Sequence, residues 1–169
     1  MNACPVVPST LAHHAQGRGT PRTAPSSVPY PVGADLIALT RSAAERAAGE
    51  SIWVPTALLP GSGTHWSAPD EGQLTVDIAV DGHAVRLHHH IDERGRIRTS
   101  TLERWGDPDN CGTWALHPFG VEVSQHRTFA GVTIPAVGRA GWHFGTDRWE
   151  SGVFFRYEIT EYRLIPPER

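Results

Sequence analysis

Asp81-Gly82 stands between two runs of alternating side chains, Gln73–Val80 and His83–Ile91. An Asp-Gly pair supplies the two left-handed residues that a two-residue hairpin turn requires. Closing the chain there sets Val80 opposite His83, Ile78 opposite Val85, Val76 opposite Leu87 and Leu74 opposite His89. That face is apolar as far as His89. The other face puts Asp77 opposite Arg86, a favourable cross-strand ion pair on the solvent side. A slip of one residue would send every apolar side chain to the wrong face, so turn and pattern together specify one register.

The chain beyond this hairpin reads the same way. Asp92-Glu93-Arg94-Gly95 leads into a strand over Arg96–Arg104, with Gly95 at a left-handed turn position. Pro118–Thr128 and Val132–Phe144 flank the turn Phe129-Ala130-Gly131, and Gly152–Ile165 forms the last strand. Gly61 to Gly72 reads as a loop containing His65 and Trp66. The run Ile52–Pro60, broken by proline, reads as an extended segment at a sheet end.

Before the strands lies one helix, starting near Gly33–Asp35 and ended by Gly49. Leu36, Leu39, Ala43 and Ala47, with Thr40 and Ala44 beside them, recur at helical spacing. Arg41, Glu45 and Arg46 are expected on the opposite face. Residues 1–32 hold prolines at 5, 8, 21, 25, 29 and 31 and have no periodicity, which predicts a disordered segment. The expected fold is therefore mainly β (α+β): one N-terminal helix packed on a curved antiparallel sheet of about six strands, a half-open barrel. The domain should span 33–165, with a tail at 166–169.

Composition narrows the chemistry. All 15 basic residues are arginine, which excludes Schiff-base and pyridoxal phosphate attachment to a lysine. The formal net charge of −3 gives no electrostatic reason to expect nucleic acid. No stretch approaches the length of a membrane-spanning helix, and the N-terminus lacks the apolar region of a signal peptide, so a cytoplasmic location is expected if this start is the true one. Cys4 and Cys111 form no C-x-x-C pair; neither a disulfide nor a zinc site is expected from them.

Glu50-Ser51-Ile52-Trp53-Val54-Pro55-Thr56-Ala57-Leu58-Leu59-Pro60, followed by His65-Trp66, Phe119-Gly120, Thr133-Ile134-Pro135 and Gly141-Trp142-His143-Phe144-Gly145-Thr146, is similar to a large bacterial family of unknown function. The resemblance covers about residues 34–165. It implies a fold of the lipoprotein-carrier (LolA-like) type, a half-open antiparallel barrel with helices on its concave side. It also implies that this chain matches only the C-terminal half of longer members. A sheet that is half of a larger one has an exposed edge, near the Trp53 segment or at the last strand, and a homodimer through that edge is expected. The resemblance carries no catalytic residues.

Candidate sites follow from the strand pattern. His88-His89-His90 invites a metal, but alternation separates His89 from His88 and His90, and a third ligand is missing. No metal site and no cofactor are expected. His89 points inward with Leu87 and Ile91, and a histidine among apolar side chains must find a hydrogen bond or bear the cost of burial. It is the one candidate acid or base. His143 falls opposite Trp142 and Phe144 by alternation. No G-x-S-x-G elbow exists, and Glu158 and Glu161 fall on opposite faces. Trp53, Leu74, Val76, Leu87, His89, Trp142, Phe155 and Tyr157 are expected to line an apolar concave cavity.

Two functions compete on these observations. One is binding of a hydrophobic small molecule or lipid on the concave face of the sheet, without chemistry. The other is a small cofactor-free cavity enzyme, an isomerase, cyclase or hydrolase, with His89 as acid/base. A non-functional fragment of a longer family member is the remaining reading.

Overall fold

The structure is a computed structural model, and it describes residues 34–165 except Ser62. The expected disordered segment 1–32 and the tail 166–169 lie outside the described residues. Helix α1 spans Ala34–Glu50. Two short 3-10 turns follow, Ser51–Trp53 and Pro55–Leu58. The strands are β1 (His65–Asp70), β2 (Gln73–Val80), β3 (His83–Ile91), β4 (Ile97–Gly106), β5 (Ala115–Phe129), β6 (Val132–Trp142) and β7 (Val153–Glu158), with a single helical turn, α2 (Trp149–Gly152), before β7. Among the described residues the seven strands form one antiparallel sheet in sequence order, open at β1 and β7.

The β2–β3 register is the one the Asp81-Gly82 turn dictates, from Gln73 opposite His90 to Val80 opposite His83. Asp81 and Gly82 take φ values of 48° and 79°. The Arg86 guanidinium donates to both carboxylate oxygens of Asp77, at 2.7 and 3.0 Å. Following the pairing across β4 to β7 places Leu102, Phe119 and Trp142 in one cross-strand row, with Ser100, Val121, Ala140 and Phe155 in the next. This inner face carries the core, which Ala48, Ile52 and Leu58 close from above.

Three local readings change. The first concerns α1, which packs on β2, β3 and β4. Its buried positions are Ala44, Glu45, Ala48 and Gly49, whereas Leu36, Ile37 and Leu39 stay exposed, as do Ala43 and Ala47. The small side chains of Ala44 and Ala48, one turn apart, let the helix axis come close to the strands; a leucine face would hold it off. Glu45 therefore points inward, not to solvent. Its carboxylate accepts the Arg41 Nε–H at 2.9 Å and the backbone N–H of Trp105.

The second concerns Ile52–Pro60, which is not extended. Backbone bonds from Val54 to Ser51 and from Ala57 to Val54, at 2.9 and 2.8 Å, close the two 3-10 turns. Three residues per turn put Ile52, Pro55 and Leu58 on one side, and Ile52 and Leu58 are buried there. Pro55 begins the second turn, where its missing N–H costs nothing. The first strand lies instead at His65–Asp70, in the segment read as a loop.

The third concerns the end of β6. His143 takes a left-handed φ of 62°, which breaks the alternation. Trp142 stays on the inner face, edge-on to Phe119 with ring centres 5.3 Å apart. Phe144 turns to the outer face instead, over Gly120, and packs against Trp149 at 4.7 Å. Any side chain at Gly120 would collide with it. Cys111 also departs from expectation: it is disulfide-bonded.

Candidate ligand-binding cleft

Helix α1 and the 3-10 turns cover only part of the inner face. Val76 and Leu87 lie under this cover and are fully buried in the core. Leu74 is on the same face, paired with His89. His89 is 2% exposed, and neither ring nitrogen has a hydrogen-bond partner. Burial pushes its pKa from 6.5 down to about 4, with the neighbouring His88 contributing in the same direction. Its ring lies 5.9 Å from that of Trp66 on β1.

Past the C-terminal end of α1 the inner face of β5–β7 is less covered, and a cleft of about 290 Å³ opens there. Its walls are apolar: Trp53, Phe119, Val121, Ala140, Phe154 and Phe155. Trp53 stands on the 3-10 turn, edge-on to Tyr157 with ring centres 4.9 Å apart and 6.5 Å from Phe155. Phe154 is 61% exposed and Phe155 is also exposed, side by side on the edge strand β7. Trp53 and Phe155 thus line the cleft directly. Trp142 and Tyr157 border its aromatic walls, and Leu74, Val76, Leu87 and His89 contribute to the fold beneath the helix or away from the opening.

The polar part of the cleft was not legible in the sequence. It comprises Arg46, Glu50 and Arg104. Arg46 and Glu50 neutralise one another across one helical turn, Nε to Oε1 at 2.7 Å. Arg104, from the inner face of β4, lies over the rings of Phe119 and Trp142, its guanidinium carbon 4.9 and 4.8 Å from the two centres. Such cation–π contacts favour a cation even where water is scarce. Burial is the largest influence on the Arg104 pKa and lowers it, as does nearby Arg46, while Glu45 and Glu50 raise it. The signal in the sequence would have been an arginine at an inward position of a strand whose inner face is otherwise uncharged, Ser100-Leu102-Arg104.

A second, polar hollow of about 320 Å³ lies between the β4–β5 loop and α2. Arg148 holds the Asp109 carboxylate there, and buried His143 has its Nε2 at 3.9 Å from Asp109 Oδ1. Hydrogen bonding from Arg148 lowers the Asp109 pKa, and burial, with Arg148 nearby, lowers that of His143, while Asp109 raises it. Among the described residues no group of three or more His, Cys, Asp or Glu is placed to hold a metal ion. No helix among them is long and apolar enough to cross a membrane.

Sheet, helix and cleft define a class: an open antiparallel meander with one helix on its inner face and an aromatic cleft beside it. The chain belongs to a family of unknown function (DUF6920), whose model matches residues 32–163. No curated protein and no solved structure matches it.

Proposed function

We propose that this protein binds an apolar small molecule or lipid-like tail in the cleft between the C-terminal end of α1 and strands β5–β7. The observation that carries this reading is the pair Phe154 and Phe155. Both are exposed on β7 and both face the cleft together with Trp53 and Phe119. A cleft lined by aromatic side chains with a few polar groups is the usual form of a small-molecule site. The carrier-type resemblance of the sequence supports a binding role of this kind.

His89 acting as an acid or base receives no comparable support. It does not line the cleft, and a histidine held near pKa 4 is a weak base at neutral pH. Pairing of two copies through the open edges β1 or β7 accompanies the binding reading, since among the described residues both edges leave backbone groups without a neighbouring strand. Sedimentation velocity checks it: a monomer at all concentrations excludes this pairing.

The binding reading is tested by titrating the protein with the neutral probe N-phenyl-1-naphthylamine. Saturable fluorescence enhancement at one probe per chain, weakened in Phe155→Asp with an unchanged circular dichroism spectrum, is expected. Enhancement that never saturates, or that ignores the substitution, overturns the proposal.

A further inference from the structure

We propose that the ligand of this cleft is a monocarboxylate with a medium-length apolar tail, its head group seated on Arg104. The inference rests on the binding reading above and adds the chemistry of the ligand.

Arg104 is the reason. Among the described residues its buried Nε has no hydrogen-bond partner, and its one polar contact there is a long hydrogen bond from Nη2 to Ser42 Oγ at 3.4 Å. The carboxylates around it are already engaged. Glu45 accepts from Arg41 and from the Trp105 amide, and Glu50 pairs with Arg46. Arg41, Arg139 and Arg148 each have a carboxylate partner within ion-pair distance; Arg104 has none among the described residues. A half-buried cation with no counter-ion beside it gains from one, and a ligand anion would supply the missing charge and an acceptor for the buried Nε–H.

Charge and size narrow the ligand. The Arg46–Glu50 pair sums to zero, so the cleft presents one uncompensated positive charge, which a monoanion balances and a dianionic phosphate monoester exceeds. The volume, about 290 Å³, is at the lower end for ligand sites. It suits one short tail against Trp53, Val121 and Phe155, not the paired chains of a membrane lipid.

Isothermal titration of the full chain with decanoate, decanol and decyl phosphate tests this. Decanoate should bind at least about tenfold more tightly than decanol, the scale of a charge-assisted hydrogen bond. Added salt should shrink that ratio. Arg104→Met should lose the preference and still bind decanol. Equal affinity for decanoate and decanol in the unaltered protein leaves the apolar cleft standing and overturns the anionic head. Decyl phosphate binding more tightly than decanoate overturns the monocarboxylate. If no compound binds, the cleft reading itself fails, and this inference with it. The comparison among ligands needs no variant, so a poorly folding Arg104→Met does not weaken it.

Discussion

His89 and Ser100 face one another across β3 and β4, 2% and 1% exposed, and neither side chain has a hydrogen-bond partner. Two unsatisfied polar side chains inside the sheet are a cost the fold carries, and one of them titrates. Burial holds the His89 pKa at about 4, against 6.5 for a free side chain. The unfolded chain therefore takes up a proton between those values while the native protein stays neutral. Stability is unaffected above pH 6.5, falls as pH drops from 6.5 towards 4, and levels off below. The loss attached to this group is roughly 3 kcal/mol. Urea unfolding at several pH values should show this acid limb, and His89→Leu should flatten it. An acid limb unchanged in the variant would assign it to other groups.

Glu45 ties α1 to β4. The residue is 5% exposed, and its carboxylate accepts from both Arg41 and the backbone of Trp105, while the Arg41 guanidinium carbon sits 5.0 Å from the centre of the Trp105 ring. Glu45→Ala strands the Trp105 N–H and should destabilise the protein by about 1–3 kcal/mol. Glu45→Gln keeps an acceptor and should lose less. Denaturant midpoints of the two variants measure the difference; equal losses would mean that the charge, not the acceptor, matters.

Gly141 is closed in by backbone. A methyl group there would collide with the Gly152 carbonyl and the Val153 Cα, across the bulge between β6 and β7. At Gly106 the obstacle is the far end of the Trp142 side chain, which can shift. Gly141→Ala should therefore cost more than Gly106→Ala, with overpacking of this kind in the range of about 1–3 kcal/mol. Thermal midpoints of the two variants decide the order. Gly106→Ala, pushing Trp142, should also alter tryptophan fluorescence.

The β5–β6 hairpin turns on Ala130-Gly131, and Ala130 takes a φ of 46°. An alanine pays a steric penalty there that asparagine largely avoids, and Asn-Gly is the favoured pair for this turn. Ala130→Asn should stabilise the protein by about 0.5–1 kcal/mol, read as a higher midpoint in urea. The same change at Asp81 should do little, because aspartate already tolerates the left-handed region.

The sequence by itself determined the parts of the molecule whose physics is local. Asp81-Gly82 has a turn geometry that few other pairs accept, and the alternation on either side permits one register; from these followed the inner face from Leu74 to Val85 and the Asp77–Arg86 pair outside. Glycine and proline placed the other turns to within a few residues. Tertiary structure decided the rest, because it depends on what each segment meets. The run from Ile52 to Leu58 suits an extended chain or two 3-10 turns, and burial of Ile52 and Leu58 over the same core selected the turns. The helix was legible but its face was not: close approach to β4 favoured Ala44, Glu45 and Ala48 over the larger leucines. Arg104 is the clearest case. Its inward place on β4 is written in the strand alternation, but its lack of a carboxylate partner among the described residues arises only because β4, β5, β6 and α1 meet around it and every nearby carboxylate is already engaged.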